Sequence, residues 1–394
     1  MTADVLRVGM VGYAFMGAAH AQGWRNAPRF FDLPVNPELT AVAGRNSEAV
    51  RDAADRLGFG SIETDWRALV TRDDIDLIDV CTPGDSHADI AIAALRAGKH
   101  VLCEKPLANT VAEAEQMAAA ARDAAAKGIW AMCGFTYRRT PALALARRLI
   151  EKGRIGTIRQ VRAQYLQDWL HDPDAPMTWR LDKSKSGSGA LGDLGAHLID
   201  TTQWLTGQSV AGVSAILETF VTSRPLTGER SGLGGQGNTA ADAPRGEVTV
   251  DDAALFTARF AGGTIGTFEA TRFALGRKNA LRIEINGSAG SLAFDFEENN
   301  VLHFFDGTKP TEEQGFQRIL VTEPEHPYVS AWWPAGHGLG YEHGFTHQVV
   351  DLVTAIADNR QPVPSFDDGL QVQRVLAAVE SSAAHDSAWT AVEK

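Results

Sequence analysis

The stretch LRVGMVGYAFMGAAH, residues 6–20, decides the fold class of this chain. Its first half is a continuous apolar run, which is typical of a strand that is buried on both faces of a parallel sheet. Its second half carries Gly12, Ala14 and Gly17, a G-x-A-x-x-G version of the dinucleotide-binding fingerprint. Small residues at these positions allow a tight turn, and the N–H groups at the start of the following helix face a pyrophosphate. The sequence therefore predicts a nucleotide site directly after the first strand.

Strand-like and helical segments continue to alternate up to about residue 136. Further apolar runs of β type lie at 39–44, 76–83, 100–106 and 129–135, and alanine-rich stretches that end in glycine lie between them at 47–58 and 87–98. Strand, helix and strand repeated in this order predict a doubly wound parallel sheet. We therefore expect a Rossmann dinucleotide-binding domain over residues 1–136.

The pattern changes in the second part of the chain. Between 158 and 306, strand-like runs follow one another with short turns instead of helices, which indicates an antiparallel or mixed sheet. We therefore expect a C-terminal α/β domain over 137–394 with a large open, mostly antiparallel sheet. The polar, glycine-rich stretch 224–247 inside it is typical of a mobile loop.

The composition excludes several classes of partner. The chain has 37 basic and 49 acidic residues, a net charge of −12, which disfavours nucleic acid and anionic membrane surfaces. The sequence contains no apolar run long enough to span a membrane, and its N-terminus lacks the pattern of a signal peptide. Cys81, Cys103 and Cys133 lie in apolar runs and are interpreted as buried free thiols. These features predict a cytoplasmic protein.

A pair of chemically capable side chains lies in GALGDLGAHLID, residues 189–200. Asp193 and His197 are four residues apart, so a helix presents them on one face. Such a pair serves as a catalytic dyad, as part of a metal site, or as an ordinary polar helix face. The spacing alone favours the solvated face.

A lysine stands at the end of the fourth apolar run, in CEKP, residues 103–106. Ligands of open parallel sheets bind outside the carboxyl ends of the strands, so Lys105 is expected to point into a site. The alternative is an ordinary lysine at the edge of the sheet. The flanking Glu104 and Pro106 favour a fixed, partly buried geometry.

The end of the second strand bears on the choice of cofactor. An acidic residue at this point would bind the ribose hydroxyls of NAD, but this chain has Gly44, Arg45 and Asn46 there. A guanidinium group pairs well with a 2′-phosphate, which favours NADP. A surface arginine at the start of the next helix is an equally good interpretation of the local sequence.

Taken together, these motifs resemble the Gfo/Idh/MocA oxidoreductase family over nearly the whole chain. The matching pieces are GYAFMG (12–17), CTPGDSHADIAIAALRAGKHVLCEKPLA (81–108), FTYRRTPA (135–142), WRLDKSKSGSGALGDLGAHLID (179–200) and GLGYEHG (338–344). Within the family, FFDLP (30–34), YLQDW (165–169) and FTYRRTPA are most similar to the levoglucosan dehydrogenase branch, whose members oxidise a sugar hydroxyl at C3 to a ketone.

The resemblance implies roles for particular residues. It implies a catalytic group of Lys105, Asp193 and His197 and a sugar pocket lined by Tyr137, Gln167 and Tyr341 as well as by that group. It implies cofactor contacts from Gly12, Ala14, Phe15, Met16, Gly17, Arg45, Thr82, Pro83, His87, Glu104, Lys105, Trp179 and Arg180. Oxidation of a secondary alcohol needs a base for the hydroxyl proton, and histidine suits that role near neutral pH. Lys105 would stabilise the developing alkoxide, and Asp193 would orient the imidazole.

The sequence thus predicts an NAD(P)-dependent dehydrogenase that acts on a sugar, anhydrosugar or polyol. Arg45 inclines the cofactor towards NADP, while the most similar branch is associated with NAD. The resemblance also implies a homodimer or homotetramer formed through the C-terminal sheet. The alternatives are an NAD-dependent glycosidase of the same fold and a noncatalytic sugar- and cofactor-binding regulator. His343 and His347 have the spacing of metal ligands, but they lie outside an HExxH motif, and we expect no metal.

Overall fold

The computed structural model describes residues 5–226 and 243–393. The chain forms two compact units, Met1–Arg139 with Gly340–Gln373, and Thr140–Leu339 with Arg374–Lys394. The boundary that we predicted after residue 136 assigned all of 137–394 to the second domain. In the structure, residues 340–373 instead lie with the first unit.

The first unit is built on a parallel sheet. Among the described residues its strands are β1 (Val5–Val11), β2 (Asn36–Ala43), β3 (Ser61–Glu63), β4 (Leu77–Val80), β5 (His100–Cys103) and β6 (Ala131–Cys133). The helices between them are α1 (Phe15–Phe30), α2 (Ser47–Leu57), α3 (Trp66–Val70), α4 (His87–Arg96) and α5 (Val111–Ala125). The strand order is β3-β2-β1-β4-β5-β6, which confirms the predicted doubly wound sheet.

The second unit is built on a larger sheet. Its helices are α6 (Pro141–Glu151), α7 (Lys183–Ser186) and α8 (Ala196–Thr206). Its strands up to residue 320 are β7 (Ile158–Leu166), β8 (Val210–Glu218), β9 (Ser223–Pro225), β10 (Arg245–Glu247), β11 (Ala253–Phe260), β12 (Ile265–Thr271), β13 (Ala280–Gly287), β14 (Gly290–Asp295), β15 (Val301–Asp306) and β16 (Phe316–Leu320). Within the described ranges the sheet order is β16-β15-β14-β13-β7-β12-β11-β8, and β7 and β12 form its parallel pair. The prediction of a mostly antiparallel sheet is confirmed.

The chain closes with two helices and a short strand, α9 (His343–Ala357), α10 (Phe366–Ala384) and β17 (Thr390–Ala391), which pairs with β8. Helix α9 lies in the core of the first unit, where Val349, Leu352 and Val353 are buried beside Trp24. Gly23 of α1 makes this packing possible, because a Cβ atom there would lie 2.9 Å from the Phe345 main chain. Burial of this apolar helix face explains why the segment lies with the first unit.

Part of the predicted loop at 224–247 is ordered as a strand pair. Its flanks form β9 and β10, which pair antiparallel, with Pro225 opposite Arg245. Residues 227–242 lie outside the described part of the chain, so the expected mobility of that loop stays a prediction. In the two described ranges, 5–226 and 243–393, we find no helix with the length and apolar character that crossing a bilayer requires.

Candidate active site

The turn between β1 and α1 has the geometry that a bound pyrophosphate needs. Gly12 adopts a φ of 95°, and a Cβ atom there would lie 2.7 Å from the Cys81 carbonyl oxygen. A Cβ atom at Gly17 would lie 2.3 Å from the Gly12 carbonyl oxygen. Both glycines are therefore required by the turn. Ala14 is the N-cap residue of α1 and supplies no side-chain hydrogen bond, which leaves the first N–H groups of the helix available to phosphate.

Two aromatic rings gather at the start of this helix. The Phe15 ring is stacked on that of Tyr341, with ring centroids 6.2 Å apart and an interplanar angle of 16°. The Tyr341 ring also meets Phe345 edge-on at 5.1 Å. The structure therefore brings together two residues that the sequence assigned to cofactor and sugar. Met16 packs against the core of the unit, and Tyr137 is buried.

At the end of β2, a tyrosine ring and a helix cap lie beside the arginine that we predicted to bind a 2′-phosphate. Gly44 accommodates the ring of Tyr13, because a Cβ atom there would lie 2.0 Å from Tyr13 Cε1. The side-chain oxygen of Asn46 accepts the N–H groups of Glu48 and Ala49 at 3.0 Å and so caps α2. Arg45 is exposed beside this cap. The sequence did not reveal that Tyr13 covers this strand end.

The carboxyl ends of β4 and β5 are joined by a buried histidine. His87 Nε2 lies 2.8 Å from the Thr82 carbonyl oxygen, and Nδ1 lies 3.0 Å from that of Pro106. His87 thus fixes the loop that contains Thr82 and Pro83 to the turn that contains Lys105. Glu104 is buried and Lys105 is half-buried at the end of β5, where the sequence placed them.

In the second unit, the segment with Asp193 and His197 is less regular than predicted. Leu191–Gly195 forms a π-helical turn, and α8 begins only at Ala196. The Asp251 carboxylate anchors the start of this segment, because its oxygens accept the N–H groups of Gly189 and Leu191, each at 2.7 Å. A Cβ atom at Gly189 would lie 1.8 Å from the Asp251 carbonyl oxygen. The expectation that one regular α-helix carries both side chains is therefore wrong, and π turns of this kind are frequent at functional sites.

Two arginines interact electrostatically with the Asp193 carboxylate. Arg272 is almost fully buried, with Nη1 3.8 Å from Asp193 Oδ2, and its Nη2 donates to the Asp251 carbonyl oxygen at 3.1 Å. Burial lowers the pKa of Arg180, and Arg272 lowers it further while Asp193 opposes the shift. The Arg180 guanidinium lies over the ring of Trp179 at 4.4 Å. Asp251 and Arg272 were not found from the sequence, where they are polar residues beside strands without a motif.

A line of polar groups leads from His197 along the end of β7. The Tyr165 ring centroid lies 5.9 Å from that of His197, and the Tyr165 hydroxyl donates to Asn279 Oδ1 at 2.7 Å. Gln167 Nε2 donates to the same oxygen at 2.8 Å, and Trp169 Nε1 donates to Gln167 Oε1 at 2.9 Å. The predicted residues Gln167 and His197 therefore belong to one cluster, in which Tyr165 and Asn279 were missed.

The other histidine pair makes hydrogen bonds with the main chain. His347 Nδ1 lies 3.0 Å from the Arg139 carbonyl oxygen, and burial lowers the pKa of His347 to about 3. His343 Nδ1 accepts the Gly340 N–H at 3.0 Å. Both imidazoles are thus engaged by the main chain of the first unit.

Comparison with known proteins agrees with these features. The model of the oxidoreductase family with an NAD-binding Rossmann fold matches residues 6–130, and that of the GFO/IDH/MocA C-terminal domain matches residues 143–293. The chain belongs to the Gfo/Idh/MocA oxidoreductase family. The predicted resemblance is therefore confirmed, and the chain is an NAD-binding oxidoreductase of a family that contains sugar dehydrogenases.

The similar proteins include one of defined activity. Levoglucosan dehydrogenase of Pseudarthrobacter phenanthrenivorans is 42% identical over 390 residues, which cover 98% of each chain. A solved complex of levoglucosan dehydrogenase with NADH and levoglucosan has a TM-score of 0.92 at 40% identity, covering 99% of this chain and 100% of the other. An oxidoreductase domain protein from Kribbella flavida has a TM-score of 0.94 at 65% identity, with 99% and 100% covered. These findings support NAD and give no support to the preference for NADP that Arg45 suggested.

Proposed function

We propose that this enzyme oxidises a secondary hydroxyl, at C3, of an anhydrosugar or a related sugar or polyol to a ketone, with NAD as hydride acceptor. The observation that carries the proposal is the cluster of His197, Tyr165, Asn279 and Gln167, which sets a base beside groups that hydrogen-bond sugar hydroxyls. The 42% identity to levoglucosan dehydrogenase supports an anhydrosugar as the substrate class.

The residues divide the chemical work as follows. His197 accepts the hydroxyl proton, and Asp193 orients its imidazole and balances the positive charge that forms. Lys105 holds the oxygen on which negative charge develops and thereby lowers the barrier. NAD, when bound, supplies the C4 position that receives the hydride. Gly12 and Gly17 allow the turn to close and α1 to pack against it, as the Cβ distances at both positions indicate, and this turn directs the first N–H groups of α1 towards the pyrophosphate.

The test is a screen of purified enzyme for NADH formation with anhydrosugars, inositols and glycosides. The proposal expects NADH to accumulate with levoglucosan or a close relative, in proportion to the ketone formed. A glycosidase would release its leaving group with no net NADH. A regulator would bind sugar and NADH without turnover, and either result would overturn the proposal.

We also propose that NAD is the working cofactor and that Arg45 provides the residual affinity for NADP. Arg45 is exposed beside Gly44, so a 2′-phosphate at this strand end would meet a positive charge, and position 44 itself carries no carboxylate. Replacing Arg45 with alanine is expected to weaken NADP⁺ by about ten- to a hundredfold, because a charge-assisted hydrogen bond is lost. NAD⁺ should be nearly unaffected. The measurement is kcat/KM for both cofactors.

Arg51→Ala is the matched control for this experiment, since Arg51 is also exposed on α2 and the change in net charge is the same. This control should leave the NADP⁺-to-NAD⁺ ratio unchanged. The same ratio in the Arg45→Ala variant and in the wild type would show that Arg45 does not contact the phosphate.

The open face of the second unit's sheet supports a homodimer or homotetramer, which we propose as the assembly. On this face Leu255 pairs with Ile216, and the two side chains are 47% and 59% exposed. Large apolar side chains side by side on a sheet favour burial against another surface.

Light scattering should give the mass of a dimer or tetramer, and Leu255→Glu should shift the oligomeric state towards the monomer. Val363→Glu, at an exposed position of the first unit, should not. A monomeric wild type would contradict the assembly.

A further inference from the structure

A cluster of polar side chains is buried in the core of the first unit. His20 of α1 has Nδ1 2.9 Å from Asp79 Oδ1 and Nε2 2.9 Å from Glu104 Oε1. Trp24 Nε1 donates to Asp79 Oδ2 at 2.7 Å, and Cys81 Sγ donates to Asp79 Oδ1 at 3.4 Å. The exposed fraction of His20 is 2%, that of Asp79 is 0% and that of Glu104 is 4%. None of the steps proposed above uses His20 or Asp79.

The surroundings of this histidine favour its charged form. Both ring nitrogens lie within hydrogen-bond distance of carboxylate oxygens, an arrangement that suits the doubly protonated imidazolium. Burial alone would lower the pKa of His20, but the charge of Asp79 outweighs it and raises the pKa well above its usual value. The distances also argue against a metal ion at His20, Asp79 and Cys81, because His20 and Asp79 are hydrogen-bonded to each other.

Glu104 connects this cluster to the main chain of Lys105. Glu104 Oε1 accepts a hydrogen bond from His20 Nε2, and Glu104 Oε2 accepts one from the Lys105 N–H at 3.4 Å. Gly134, which follows β6, leaves room for the carboxylate, since a Cβ atom there would lie 2.6 Å from Glu104 Oε1. The backbone that presents Lys105 is therefore held from within the core through two hydrogen bonds in series.

We propose that His20 is a positioning residue for the reaction, acting on Lys105 through Glu104. The inference rests on the proposed function, in which Lys105 stabilises the alkoxide. A buried carboxylate that lost its histidine partner would move, and the hydrogen bond that it accepts from the Lys105 N–H would be weakened. Because Trp24 still holds α1 to Asp79, the cofactor turn should keep its geometry. His20 should thus affect kcat and leave NADH binding unchanged.

The experiment is a double-mutant cycle between His20 and Lys105 in the full-length enzyme. In the wild-type background, His20→Gln is expected to lower kcat by about ten- to a hundredfold, the cost of a small misplacement of a catalytic group. The Kd for NADH, measured by fluorescence, should stay within about twofold. In the Lys105→Met background, His20→Gln should lower kcat by less than about twofold, because the amino group that His20 positions is absent.

Two further variants keep the test decisive. Glu104→Gln retains the shape of the side chain and replaces His20→Gln if that variant does not fold, and its readout is a loss of kcat that disappears in the Lys105→Met background. His100→Gln is the control, because His100 lies at the opposite end of β5, where its Nδ1 accepts the Trp130 N–H at 3.0 Å. It should leave kcat within about twofold of the wild type.

The outcomes separate this inference from the proposed function. An unchanged kcat in His20→Gln, or an equal loss in both Lys105 backgrounds, would overturn the positioning role while the proposed function stands. A wild type that forms no NADH with any sugar would overturn the proposed function and this inference with it.

Discussion

Replacing His197 with alanine is expected to lower kcat by about a hundredfold or more, because a general base contributes on that order to proton transfer. The Kd for NADH should stay unchanged, since the fingerprint turn that we propose holds the cofactor lies in the first unit and His197 in the second. Steady-state kinetics with the sugar identified by the screen, together with the Kd for NADH, provides the measurement.

Two further measurements show whether proton transfer is the step that is lost. Added imidazole should restore part of the activity of His197→Ala, because it can accept the proton in place of the missing ring. His385→Ala, which removes an exposed histidine of the same unit, should behave as the wild type. Normal turnover of His197→Ala across the pH range would show that the base is another group.

Asp193→Ala is expected to lower kcat less than His197→Ala, since in the proposed function Asp193 orients the base and does not itself accept the proton. The surroundings of Asp193 support this order. With Arg272 Nη1 at 3.8 Å and Arg180 interacting electrostatically, its negative charge is already shared with two guanidinium groups. Asp193→Ala therefore removes one of three charged groups and leaves the guanidinium groups of Arg272 and Arg180 in place.

The sequence predicted those parts of the fold whose causes are local. The turn from Gly12 to Gly17 follows from glycine spacing directly after a buried strand, and both close contacts in the structure lie within or beside that turn. Helix α9 shows the limit of such reasoning. Its apolar face is visible in the sequence, but which core buries Val349 and Leu352 depends on contacts with α1 that no local pattern contains.

The site shows the same distinction. Asp193 and His197 were found from their spacing, but the π turn between Leu191 and Gly195 was not predicted. The start of this segment is anchored by the Asp251 carboxylate, which lies 62 residues from Gly189 along the chain. Asn279 and Gln167 are likewise 112 residues apart, although both hydrogen-bond within one cluster. Long-range polar contacts of this kind decide the geometry of the site, and a single sequence does not reveal them.

Lys105→Met is expected to lower kcat by about a hundred- to a thousandfold, the usual cost of losing a donor that stabilises a developing oxyanion. Methionine keeps much of the length of the side chain and removes only its charge and hydrogen bonds. Lys105→Arg should retain part of the activity, because it keeps the positive charge with a different donor geometry. The same kinetic measurements, with the Kd for NADH as a binding reference, compare the two variants.

Lys99→Met is the matched control, because Lys99 directly precedes β5 and Lys105 follows it. Lys99 Nζ donates to the carbonyl oxygens of Arg72 and Ile75 at 2.9 and 2.8 Å, so this lysine stabilises the opposite end of the strand. Its loss should lower the Tm without changing kcat, whereas Lys105→Met should lower kcat.

A sugar deuterated at C3 adds an independent readout. If Lys105 stabilises the alkoxide, hydride transfer limits Lys105→Met and the isotope effect on kcat is fully expressed. A loss confined to KM, with kcat unchanged, would instead mean that Lys105 binds the sugar equally well before and during the reaction.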